Sequence, residues 1–102
     1  MREKIIYHIC TVSEWKDQNN SEYYMHKSIE NEGFIHCSFK HQIKGVMERY
    51  FEDQKDLLLL IIDSDKITHE LKIEKAPIGD SFPHIYGPLN KSAILEIKEW
   101  VE

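Results

Sequence analysis

The sequence has little of what marks secreted, membrane or nucleic-acid-binding chains. Two cysteines, Cys10 and Cys37, are too few for a disulfide framework and form no CxxC pair. No apolar run approaches the roughly 20 residues that a membrane-spanning helix needs. The start, Met1-Arg-Glu-Lys4, leads straight into a short apolar segment without the shape of a signal peptide. Basic residues are outnumbered, 13 Lys+Arg against 18 Asp+Glu, and the net charge of −5 is the wrong sign for phosphate-backbone contacts. Only four glycines and three prolines interrupt the 102 residues. These absences predict a cytoplasmic protein without nucleic-acid or membrane partners.

What is present fits one α+β domain over residues 1–102. Hydrophobic residues make up 41% of the chain and aromatics 11%, enough for a real core. Lys4 to Cys10 alternates as a strand with both faces largely apolar, which predicts a central position with His8 inside it. Thr11-Val-Ser-Glu14 matches a capping box, so a short helix should run through Trp15 and end in the polar run Gln18 to Ser21. Residues 21–33 read as irregular, with Tyr23, Tyr24 and His26 exposed unless something folds over them. Ser28 is placed to cap a single turn that stops at Gly33.

Phe34 to Ser38 reads as a second strand. Ile43, Val46, Met47, Tyr50 and Phe51 step by three and four, a helix with a core-facing stripe. Leu57 to Ile62 is an unbroken apolar run closed by Asp63, the pattern of a strand buried on both faces. Ser64-Asp-Lys66 is a turn. His69 to Lys75 alternates, with Leu71 and Ile73 predicted inward and Glu70, Lys72 and Glu74 on the other face. Phe82 to Leu89 is a rigid aromatic loop or short strand, and Ser92 to Val101 a final strand. The total is five or six strands and two helices.

No phosphate-binding glycine loop, GxSxG elbow or HExxH is present. What remains is a set of six histidines. His26, His41 and His69 have polar neighbours and read as solvated, whereas His8, His36 and His84 lie in apolar contexts. A single strand histidine is more often a packed, hydrogen-bonded core residue than a reacting group. His36, however, shares a strand face with Ser38, and His84 sits between prolines with Phe82 and Tyr86 as aromatic walls. Three arrangements compete: a three-histidine metal site, a Cys37 nucleophile beside His36, and an organic-ligand cleft lined by histidines and tyrosines. The first lacks any paired HxH or HxxxH spacing. The second is geometrically poor, because adjacent strand residues point to opposite faces. The third needs the fewest assumptions, and no metal is assigned.

Ile6-Tyr7-His8-Ile9, Glu14-Trp15, GFIHCS over Gly33–Ser38 and FPHIYGPL over Phe82–Leu89 resemble a family of small bacterial proteins, domain of unknown function 952. Gln42, Tyr50-Phe51, Asp56-Leu57 and Asp63 match its other marks, so the resemblance covers nearly the whole chain in order. That family is grouped with the ADP-ribosyltransferase-like fold, whose relatives include poly-ADP-ribose polymerases and RNA 2′-phosphotransferases. The resemblance implies a compact domain in which two antiparallel half-sheets, with two to three short helices, flank a cleft that takes NAD in the active relatives. His8 is similar to their first-strand histidine, although Ile9 and Cys10 follow it where the enzymes carry Gly and Thr. His36-Cys37-Ser38 is similar to the second motif of the phosphotransferases, and Glu74 is the candidate for the later acidic residue.

The resemblance implies an NAD-dependent transferase, or a phosphotransferase-like enzyme, acting on a small molecule. The nicotinamide–ribose bond would break through a transition state of oxocarbenium character, with His8, His36 and Glu74 catalytic. Ser38 and His8 would hold ribose hydroxyls or diphosphate, Tyr24 or Tyr86 would stack on nicotinamide, and His36 and His84 would accept protons. Glu74 would stabilise the developing charge. The alternative, from a different class, is a non-catalytic module that binds a nucleotide in the same cleft.

Overall fold

The computed structural model describes residues 4–18 and 21–100. Met1 to Glu3, the centre of the polar run at 19–20 and the end of the final strand at Val101 lie outside the described residues.

The long apolar run forms β4 (Leu57–Asp63), and it organises its half-sheet. It pairs antiparallel with β1 (Ile5–Thr11) on one side and β8 (Ile94–Glu99) on the other. A second three-stranded sheet joins β3 (Ile35–His36), β6 (Ser81–Tyr86) and β5 (Glu70–Lys75) in that order, again antiparallel. A two-residue pair, β2 (Tyr23–Tyr24) with β7 (Leu89–Asn90), closes one end.

Because side chains alternate along β4, each face serves a different core. Leu58, Leu60 and Ile62 pack with Ile6, Cys10, Tyr24, Ile35, Cys37 and Ile85, the layer between the two half-sheets. Leu57 and Leu59 pack with Ile9, Ile43 and Met47. Ile43 and Met47 belong to α3 (Ile43–Tyr50), which lays them and Val46 over this second face with Phe51 just past its end, whereas Tyr50 of the predicted stripe is 65% exposed.

Two further helices are single turns. The Thr11–Glu14 capping box forms as expected and starts α1 (Val12–Lys16). The α2 turn (Ser28–Glu32) ends at Gly33, whose φ of 88° is the left-handed conformation that glycine adopts without strain. Ser28 does not cap it. Lys27 holds that position, and the Ser28 hydroxyl is turned to His26 instead.

Several expectations change. Residues 21–33 are largely ordered into β2 and α2 rather than irregular. β1 is not central in its sheet: among the described residues only one backbone bridge, between Tyr7 and Ser38, lies beyond it and joins the half-sheets. The strand predicted over Phe34–Ser38 shrinks to Ile35–His36 plus that bridge. Ile73 is 44% exposed, because β5 is an edge strand and the half-buried Leu71 is its contact with the core. At the turn after β6, Gly87 has φ 145° and a Cβ there would lie 2.6 Å from His69 Cδ2, so only glycine fits. No helix among the described residues is long and apolar enough to cross a membrane.

Candidate functional site

The site starts at the Tyr7–Ser38 bridge. Tyr7 and Ser38 exchange both backbone hydrogen bonds, at 2.8 and 2.7 Å. An antiparallel ladder continued from there would bring Ile9 opposite His36. It does not continue, and a side chain takes over. His8 Nδ1 donates to the His36 carbonyl at 2.6 Å.

That bond sets the tautomer, since a carbonyl only accepts. His8 Nε2 is then the acceptor, and the Tyr24 hydroxyl donates to it at 3.1 Å. Both residues are buried, Tyr24 completely. Burial, with the neighbouring His26 second, pushes the His8 pKa down to about 4, so the ring is neutral at pH 7. The Tyr24 hydroxyl is pushed far upward, first by burial and then by the nearby Cys10 thiol, and stays protonated. His8 and Tyr24 therefore form an internal clasp behind the second sheet, without an open edge toward solvent.

His26 extends this clasp and is not solvated as its polar neighbours predict. Its ring meets that of His8 edge-on at 5.0 Å. The Ser28 backbone N–H donates to its Nδ1 at 3.1 Å, which leaves Nε2–H to donate to Glu14 Oε2 at 2.9 Å. Burial lowers the His26 pKa, with Glu14 opposing. Glu14 meets a burial cost of its own, yet the Thr11 N–H and His26 hold its carboxyl below the usual range. His41 and His69 are exposed, in line with the sequence reading.

On the outer face of the second sheet lies a different group. His36 and His84 face each other across the β3–β6 ladder, with ring centroids 5.0 Å apart and nearly perpendicular planes. Phe34 stacks on His84 at 4.0 Å and meets His36 edge-on at 4.8 Å. Each imidazole is held by a carboxylate. Glu32 Oε2 accepts from His36 Nε2 at 2.5 Å, and Glu74 Oε1 accepts from His84 Nδ1 at 2.8 Å. Tyr86 donates its hydroxyl to the same Glu74 oxygen. These donors, Tyr86 first and His84 second, hold the Glu74 carboxyl below its ordinary range, and the same bond raises the Tyr86 hydroxyl. Lys72 completes the face, its ammonium 4.9 Å from the centre of the Tyr86 ring.

With one ring nitrogen of each histidine committed to a carboxylate, the other, Nδ1 of His36 and Nε2 of His84, makes no hydrogen bond among the described residues. The His36 side chain is 56% exposed and that of His84 12%, so the pair presents one open and one shielded imidazole.

The seven predicted site residues thus divide. His36, Glu74, His84 and Tyr86 come together on one face. His8 and Tyr24 lie behind that face and touch it only through the His36 backbone. Ser38 is buried at the bridge. Neither of two surface depressions, one beside Trp15 and β8 and one beside Phe51 and Trp100, reaches these residues. Cys37 is buried and its thiol is pushed up by burial, which removes it as a nucleophile. No group of three or more His, Cys, Asp or Glu among the described residues is arranged to hold a metal ion.

Sequence reasoning overlooks Glu32, Phe34 and Lys72. Glu32 stands four residues before His36, but the contact depends on the left-handed turn at Gly33 between them. Phe34 lies inside GFIHCS and shares the strand parity of His36, which is the sequence signal that places it on this face. Lys72 shares the face of Glu74 by simple alternation.

The family described as Protein of unknown function (DUF952) matches residues 9–97. The chain belongs to that family. Its fold is similar to that of protein CC0527 from Caulobacter crescentus. The crystal structure of CC0527 aligns with a TM-score of 0.84 at 28% identity, covering 93% of this chain and 84% of that one. The solution structure aligns with a TM-score of 0.80, also at 28% identity, over 95% of this chain and 84% of that one. No curated protein matches.

Proposed function

We propose that this DUF952 protein is an ADP-ribosyltransferase-like enzyme of the cytoplasm that acts on NAD at the Phe34, His36, Glu74, His84 and Tyr86 face. The observation that carries the reading is the Glu74 carboxylate, held by two donors on Oε1 and set diagonally across the sheet from the His36–His84 pair. A fixed, ionised carboxylate suits a reaction in which positive charge grows on a ribose carbon. Two antiparallel half-sheets that part beside His8 also fit the superfamily suggested by the sequence.

In this reading the bond between ribose C1′ and the nicotinamide nitrogen breaks, and nicotinamide leaves with the bonding pair. The oxygen of water or of an acceptor hydroxyl forms the new bond to C1′. Its proton passes to the free nitrogen of His36 or His84. Glu74 stabilises the oxocarbenium-like charge through Oε2, which makes no hydrogen bond among the described residues. His8 acts as a positioning residue, since it fixes the backbone of His36 from behind.

The second reading is a nucleotide-binding module without turnover. It is favoured by the burial of His8 and Tyr24, which keeps the first-strand histidine and the predicted stacking tyrosine from gripping a ligand. Isothermal titration with NAD, combined with measurement of nicotinamide release, separates the two. Binding with release supports the enzyme, binding without release supports the module, and no binding of NAD or ADP-ribose rejects both.

A further inference from the structure

β8 is the outer strand of its sheet, and no strand pairs with its far edge among the described residues. Trp100 N–H donates to the Leu57 carbonyl at 2.9 Å. By antiparallel alternation, Lys98 and Glu96 turn their backbone groups toward β4, while Ile97 and Glu99 turn theirs outward. Leu95 is the extra residue of a bulge, because Ile61 faces Glu96 and Ile62 faces Ile94. Leu95 and Ile97 are 51% and 40% exposed, an unusual pair of apolar side chains on an open edge. They continue into a surface depression of about 330 Å³ bounded by Trp15, Lys91 and Ile94.

We infer that this edge pairs with the same edge of a second copy, across a two-fold axis through Ile97. A two-fold axis perpendicular to the sheet keeps every side chain on its own face, so only residues of like parity can meet. Centring the axis on Glu96 would oppose two glutamates, and centring it on Lys98 would oppose two lysines. Centring it on Ile97 sets Glu96 against Lys98 of the second copy, twice. The same register brings the two Ile97 side chains together and joins their outward backbone groups.

Within one chain, Glu96 and Lys98 form a long ion pair at 3.9 Å with both side chains more than half exposed, a weak contact that the closer pairs across the axis would replace. The edge of β5 has a similar alternation, but its charges are committed elsewhere. Glu74 is held by His84 and Tyr86, and Lys72 lies over Tyr86.

Sedimentation equilibrium of the full chain across the micromolar range tests the pairing. The expected mass rises with concentration to twice the 12.2 kDa of one chain. Lys98→Glu should weaken the dimer by about tenfold or more, because each pair then opposes two carboxylates. The double exchange Glu96→Lys with Lys98→Glu should restore it, which also controls for loss of folding. Ile73→Lys on the β5 edge should leave it unchanged. A monomer at every concentration, a dimer indifferent to Lys98→Glu, or one abolished by Ile73→Lys would overturn the inference.

Discussion

His8 donates from its imidazole to the backbone carbonyl of His36, across 28 residues of sequence. The bond stands where the ladder between the half-sheets stops, so a side chain continues what the backbone does not. It also ties the buried clasp of His8, Tyr24 and His26 to the strand that displays His36.

Replacing His8 by Ala should therefore destabilise the fold. The His36 carbonyl would lose its side-chain donor and the Tyr24 hydroxyl its imidazole acceptor, with the weaker Cys10 thiol left beside it. Together with the space left behind, this costs about 2–4 kcal/mol. Urea denaturation checks it, and a midpoint equal to that of the wild type would contradict the clasp.

Stability should also depend on pH through the same ring. The folded-state pKa of His8 lies near 4, below the ordinary 6.5, so the unfolded chain binds the proton first. Stability is then fully present above about pH 6.5 and falls as the pH drops toward 4, by roughly 3 kcal/mol for this group. His26, lowered in the same direction, adds to the loss. Denaturation at a series of pH values measures the slope. His8→Gln should flatten it, and an unchanged slope would assign the effect elsewhere.

On the outer face, Tyr86→Phe removes the donor that contributes most to the depressed Glu74 carboxyl. The Glu74 titration, followed by carbon NMR of its carboxyl, should move up toward the ordinary glutamate range. His84→Gln should move it the same way by less. No movement in Tyr86→Phe would mean that the hydroxyl does not hold the carboxylate.

Much of this frame is legible in the sequence, for physical reasons that differ by element. β4 announces itself because six apolar residues in a row fit a strand buried on both sides. The capping box at Thr11 and Glu14 is local chemistry and needs no tertiary information. β1 is legible as a strand, but its place at the joint is not, because that depends on where Ser38 arrives. The histidines show the limit most clearly. His26 has polar neighbours in sequence and still ends half-buried, since Glu14 and Ser28 satisfy both its nitrogens. His36 has apolar neighbours and ends exposed, because alternation turns Ile35 and Cys37 inward. The pairing of His36 with His84 is a matter of cross-strand register, which no stretch of either motif contains.

The most direct test is nicotinamide release from NAD by the wild-type protein and by Glu74→Gln under the same conditions. The proposed chemistry predicts release by the wild type and a loss of about 100-fold or more in the variant, with NAD binding retained, as befits a group that stabilises transition-state charge. Equal release by both proteins, or none by a wild type that binds NAD, would contradict it.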